Sequence, residues 1–109
     1  MRKEVRLCKN EEFGRIRHQN CSLKNASFII YVSPKSNSLA RFGLSVSKRN
    51  GNAVVRNKIK RQLRMMVQEL VDFENYPLDC IIIVRKVYLD CDYATNKKAL
   101  EKLLNKAII

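Results

Sequence analysis

Asn57, Arg61, Arg64 and Gln68 recur at spacings of four, three and four residues. That repeat brings side chains onto one face of a helix. Arginine's planar fork of N–H donors binds phosphate oxygens two at a time, and lysine supplies a point charge. Asparagine adds a neutral donor and acceptor that can reach a sugar hydroxyl or a phosphate. Such a ridge holds a polyanion; it does not break bonds. A merely solvated helix face would mix charge signs through i,i+4 pairs. Between positions 53 and 68 there are instead five basic residues, Arg56, Lys58, Lys60, Arg61 and Arg64, and no acid.

The same bias extends beyond the helix. From Phe13 to Gln68 the chain carries 12 lysines and arginines without one aspartate or glutamate. The other ten basic residues are matched by all ten acids, so the net charge of +12 resides in one half of the molecule. Self-repulsion of that kind disfavours compaction, and a polyanionic partner, nucleic acid, relieves it. Lys48 and Arg49 feed the anion-friendly N-terminus of the helix, with Asn52 as its cap. Arg41, Ser45 and Ser47 lie on the small polar face of an alternating strand, where a nucleic-acid backbone has room to cross. Phe13 and Tyr31 are candidates for stacking on unpaired bases, against the commoner fate of core packing. Tyr31 is the better candidate, because it alternates away from Phe28, Ile30 and Val32.

No catalytic constellation accompanies this surface. His18 is the only histidine, and the basic half has no carboxylates to cluster around a metal. There is no glycine-rich phosphate loop, and no serine or cysteine has an identifiable base nearby. Cys8, Cys21, Cys80 and Cys91 are separated by 13, 59 and 11 positions, without the paired short spacing of zinc sites. They read as reduced structural thiols, with Cys80 in the core. Any chemistry must be borrowed from a partner.

The elements that position these residues can be read in outline. At 109 residues and 46% hydrophobic content, the chain suits one globular domain over 1–109. No apolar run approaches the roughly 20 residues needed to span a bilayer. The basic start is not followed by a signal-peptide apolar region, so the expected location is the cytoplasm. Residues 10–19 predict a short helix capped by Asn10. Residues 28–32 and 39–47 predict two strands paired as an antiparallel hairpin, with Ala40, Phe42, Leu44 and Val46 facing inward. Asn50-Gly51 signals a turn. From 53 to about 72 the long helix buries Val55, Ile59, Leu63, Met66 and Leu70, with Val67 at the border. Residues 79–85 are apolar on both faces, as in a central strand. An amphipathic helix over 92–107 closes the chain. The order is α-β-β-α-β-α, with room for one further short strand.

The run Arg41-Phe42-Gly43-Leu44-Ser45-Val46-Ser47-Lys48-Arg49, followed by Gly51-Asn52-Ala53-Val54-Val55-Arg56-Asn57-Lys58-Ile59-Lys60-Arg61-Gln62-Leu63-Arg64, strongly resembles the bacterial ribonuclease P protein family. The flanking segments fit the same family, so the resemblance spans nearly the whole chain. It implies an α+β domain of order α-β-β-β-α-β-α, with a left-handed crossover through the long helix. It also implies a subunit that joins a catalytic RNA, which removes the 5′ leader of precursor tRNA with magnesium ions. By position, Arg56, Asn57, Lys58, Lys60, Arg61 and Arg64 would form the RNA-contact helix. Phe13 and Tyr31 would line a leader cleft that Lys48 and Arg49 extend. Lys58 stands where family members often carry arginine, and Arg17 where relatives can carry a second cleft aromatic. The implied role is an RNA-binding subunit of an endonuclease, with no protein-bound cofactor and catalysis by the RNA. The competing reading is a structural, ribosomal-type rRNA-binding protein. The ordered combination of Gly51-Asn52-Ala53 and the basic ridge favours the first.

Overall fold

Leu78–Val84 carries large apolar side chains on both faces and takes the centre of a four-stranded sheet. The computed structural model describes residues 5–7, 13–16 and 21–108. Its strands are β1 (Ser22–Lys24), β2 (Phe28–Pro34), β3 (Phe42–Ser45) and β4 (Leu78–Val84), in the spatial order β1-β2-β4-β3. β1 and β2 form an antiparallel hairpin, β2 is antiparallel to β4, and β3 is parallel to β4. Helix α1 is described over residues 13–16, α2 is Ala53–Leu70 and α3 is Tyr93–Lys106. The α+β order is the one the family resemblance implied, with β1 as its third strand before α2. The proposed cap Asn10 lies outside the described residues.

The expected hairpin between the segments at 28–32 and 39–47 does not form. β4 lies between them, with Cys80 opposite Val32 on one side and Phe42 on the other. Burial explains the choice. Cys80, Ile81 and Ile82 are almost wholly buried, which requires neighbours at both edges as well as both faces. Pairing β2 with β3 would put this apolar strand at an edge with unpaired backbone groups. Parallel β3 and β4 then need a crossover connection, and α2 supplies it.

β1 and β2 meet at Asn25, whose Oδ1 accepts from the backbone N–H groups of Ser27 (3.1 Å) and Phe28 (2.9 Å). The same side chain donates from Nδ2 to the carbonyl of Ala99 (3.0 Å), tying the hairpin to α3. One sheet face, including Phe28, Ile30, Val32, Phe42, Ile82 and Val84, belongs to the main core with both long helices. From α2 come Ile59, Leu63, Met66 and Val67, fully buried, with Val55 and Leu70 half-buried against them. The apolar arc expected of that helix is the face it buries. α3 contributes Leu100, Leu103 and Leu104, and Tyr76 Oη donates to the carbonyl of Leu104 (2.8 Å).

The start of α2 is set locally. Lys48–Asn50 forms a 3-10 turn, and Gly51 follows at φ 133°, a conformation side chains disfavour. A Cβ there would also approach Val55 to 2.9 Å. Asn52 caps the helix, its Oδ1 accepting from the N–H of Val55 (3.0 Å). Among the described residues no helix is long and apolar enough to cross a membrane.

Candidate nucleic-acid interface

The second face of the sheet is only partly covered, and its rows follow from strand register. Tyr31, Ile81 and Gly43 lie side by side across β2, β4 and β3. Ile81 is buried there in a small cluster with Leu7 and Ile16, against which Phe13, Tyr31 and Ile83 are half-buried. Phe13 sits on β3 itself: a Cβ at Gly43 would lie 2.5 Å from Phe13 Cζ. Glycine at that position lets the ring approach the strand backbone. Thus Phe13 and Tyr31, on different elements, pack against one apolar floor. The next row, Ile29, Ile83 and Ser45, is half-exposed, with Lys24 paired to Ile29 at its end. Arg17 lies outside the described residues.

The row on the other side of Tyr31 is closed by charge. Asp79 on β4 is completely buried, and its Oδ1 accepts from the backbone N–H of Arg41 (2.9 Å). Its Oδ2 lies 3.7 Å from Arg41 Nη2 and 3.9 Å from Arg15 Nη2. Arg41 Nη2 also donates to Ser36 Oγ (3.2 Å), and its side chain is only 13% exposed. The structure therefore turns Arg41 inward onto Asp79 and sets it apart from the exposed basic side chains. Arg15 joins α1 to β4 through the same carboxylate. Sequence reading missed Asp79 and Arg15; the available signal was a lone acid at the head of an apolar strand.

The ridge of α2 forms as its spacing required. Asn57, Lys58 and Arg61 are exposed, Arg64 and Lys60 half-exposed, and Arg56 lies half-buried beside them. Asn57, Lys58, Arg61 and Arg64 line one open depression together with Val54. Among the described residues, none of the α2 basic residues has a carboxylate within ion-pair distance. Glu69, the first acid along the helix, is already engaged by Lys97 of α3. The ridge is thus a row of cations held on one helix with no counter-charge among the described residues.

Upstream, Lys48, Arg49 and Ser47 are exposed, and their loop is pinned where buried Asn50 donates from Nδ2 to the carbonyl of Val84 (3.3 Å). Asn52, expected at the interface, spends its side-chain oxygen on the helix cap. Ser45 lies on the sheet face, away from the helix ridge, in the cleft row.

Nothing in the described residues resembles an acid–base or metal centre. Among the described residues, no group of three His, Cys, Asp or Glu side chains is placed to hold a metal ion. Burial pushes the Cys80 thiol up to about 12, which suits the inert core role read from the sequence. Burial also raises Tyr88 to about 12, so its phenol stays protonated and donates to Gln62 Oε1 (2.7 Å).

Comparison with known proteins agrees with this architecture. The sequence profile of the family described as Ribonuclease P matches residues 1–108. The "Ribonuclease P protein component" of Bacillus velezensis is 44% identical over 108 residues, covering 97% of this chain and 91% of that protein. The protein of the same name from Mycoplasma capricolum subsp. capricolum is 42% identical over 99 residues, covering 90% and 91%. Among solved structures, a Staphylococcus aureus RNase P protein mutant described as having defective mRNA degradation activity superposes with a TM-score of 0.86. It is 34% identical, and the match covers 96% of this chain and 89% of that one. The RNase P protein from Thermotoga maritima gives a TM-score of 0.80 at 26% identity, covering 93% and 96%. With its profile matched almost end to end and its relatives aligned over most of their length, the chain belongs to the ribonuclease P protein family.

Proposed function

We propose that this chain is the protein subunit of ribonuclease P, binding the catalytic RNA and the 5′ leader of precursor tRNA in the cytoplasm. The observation that carries the reading is the α2 ridge, where Asn57, Lys58, Arg61 and Arg64 share one depression and, among the described residues, no carboxylate lies within ion-pair distance of them. Guanidinium and ammonium groups so placed screen the repulsion between two RNAs and fix their register through phosphates. Lys48 and Arg49 extend that field at the helix entry. Arg56, Lys60 and Asn52 belong to the same surface, whereas Arg41 lies on the other face of the sheet, turned onto Asp79.

The half-covered sheet face takes the unpaired leader. Phe13 and Tyr31 offer ring surface to unstacked bases, while Ser45 on that face and Ser47 in the loop after β3 leave space for the sugar–phosphate chain. Arg17 would add a cation or a stacking plane at the same cleft. The side chains bind and orient; they provide neither general base nor nucleophile. Magnesium would be held by the RNA partner, where such an ion would supply an activated water for leader hydrolysis. The donor set supports that division, because Asp79, the carboxylate described beneath that sheet face, lies within ion-pair distance of two guanidiniums.

The test is leader cleavage of a precursor tRNA at low magnesium. Three reactions are compared: protein alone, catalytic RNA alone, and the two together. Strong cleavage only in the mixture is expected. No gain over RNA alone, despite tight RNA binding, would refute the subunit role and favour a structural rRNA-binding protein.

A further inference from the structure

An apolar groove of about 300 Å³ runs between the start of α2 and the 3-10 turn Lys86–Asp90. Its walls include Val54, Ile59, Tyr88 and Leu89, with Lys58 and Gln62 also lining it. Val54 is 78% exposed and Leu89 51%, so two large apolar side chains are held in water at one place. Neither serves the core, and at a solvated helix position such as 54 a polar residue would be ordinary. The floor is fixed, because Tyr88 is buried and its hydroxyl is bound to Gln62 Oε1 at 2.7 Å. That bond uses the Gln62 acceptor and leaves its amide N–H groups to donate.

The groove is continuous with the basic ridge. Val54 and Lys58 line both the groove and the depression that holds Asn57, Arg61 and Arg64. Phosphate-binding cations therefore stand one side chain away from an apolar slot with a donor at its edge. That juxtaposition suits a nucleotide turned out of its stack, its phosphate on the cations and its base between apolar side chains. An apolar protein surface would bury the same slot but leave the neighbouring cations facing no counter-charge. A continuous duplex would satisfy the cations and leave the slot empty. We propose that the Val54/Leu89 groove receives one unstacked nucleobase of an RNA whose phosphates lie on the α2 ridge. This deepens, and rests on, the RNA-binding reading of that ridge.

The test titrates the ribonuclease P RNA of the same organism with the protein at several salt concentrations. Wild type is compared with Leu89→Ser, Val54→Ser and Arg61→Ala. Each groove variant should weaken binding about fivefold or more, the order expected when an aliphatic side chain is lost from a buried contact. Its salt slope and thermal midpoint should stay those of wild type, since no phosphate contact and no core contact is lost. Arg61→Ala should instead flatten the slope, by about 0.7–0.9. Base-specific chemical probing should find one nucleotide protected by wild type and reactive with Leu89→Ser. Unchanged affinity in both groove variants, with Arg61→Ala still weakened, would overturn the groove and leave the ridge standing. A flattened slope in a groove variant would assign the slot to a phosphate. Self-association of wild type that Leu89→Ser abolishes would assign it to a second copy, and either result overturns the proposal. Wild-type binding that ignores salt would remove the ridge reading and the groove with it.

Discussion

Gly43→Ala tests whether α1 truly roofs the sheet, because the sign of its effect depends on one aromatic ring. In an uncrowded strand the change would stabilise by roughly 0.4–1 kcal/mol, through reduced freedom of the unfolded chain. Here the new carbon would lie 2.5 Å from Phe13 Cζ, 2.8 Å from Cε1 and 3.2 Å from Leu7 Cβ. Carbon atoms rest about 3.5–4.0 Å apart, so the ring must retreat by roughly 1 Å or more. Overpacking of that kind costs about 1–3 kcal/mol. For a chain near 100 residues this lowers the thermal midpoint by about 4 °C per kcal/mol, or about 4–12 °C in all. Phe13→Ala alone should cost about 1–2 kcal/mol, less than a fully buried phenylalanine, since the ring is half-buried. The double variant should be more stable than the sum of the two losses predicts, by about 1 kcal/mol or more. Urea and thermal denaturation, followed by circular dichroism, measure all four corners of the cycle. A neutral or stabilising Gly43→Ala, or strict additivity with Phe13→Ala, would refute the contact and with it the cleft geometry.

Arg61→Ala combined with Arg64→Ala should flatten the salt dependence of RNA binding by about 1.4–1.8 in slope, two phosphate contacts' worth, and leave the thermal midpoint nearly unchanged. A large loss of stability would mean that these side chains serve the fold. Asp79→Ala should destabilise by about 3 kcal/mol or more in urea, because it removes a buried carboxylate that faces a mostly buried guanidinium. Asp79→Asn keeps an acceptor for the Arg41 N–H and should lose less; a cost below about 1 kcal/mol for the alanine would show that other groups satisfy Arg41. Alkaline unfolding should follow from Cys80 and Tyr88, raised by burial from 9.0 and 10.0 to about 12 each. The unfolded chain then releases these protons first, so stability is intact below about pH 9 and falls as pH rises towards about 12. Stability that is flat from pH 9 to 12 would contradict their burial.

The long helix was legible almost residue by residue, because its signals are local. An asparagine cap, an apolar arc at 3.6-residue repeat and an acid-free opposite face all lie within one segment. Ile59, Leu63 and Met66 are buried and Asn57 and Arg61 exposed as that pattern required. The strand segments were found for the same reason, but their pairing was not. Alternation in 39–47 tells which side chains face inward; it carries no information about which strand lies alongside.

By itself, then, the sequence determined what is set by short-range periodicity and charge: the helices, the face each buries, the central character of β4, and a cationic surface that calls for a polyanion. The tertiary structure decided what depends on residues far apart. It inserted β4 between β2 and β3, brought Phe13 onto Gly43, and drew Arg41 and Arg15 around Asp79. It also set Leu89 beside Val54 to make a groove next to the ridge. The physical reason is that local order follows from backbone periodicity, whereas long-range contacts are selected by collective burial. An apolar strand needs neighbours on every side, a buried carboxylate needs its cations, and only the packed chain satisfies both together.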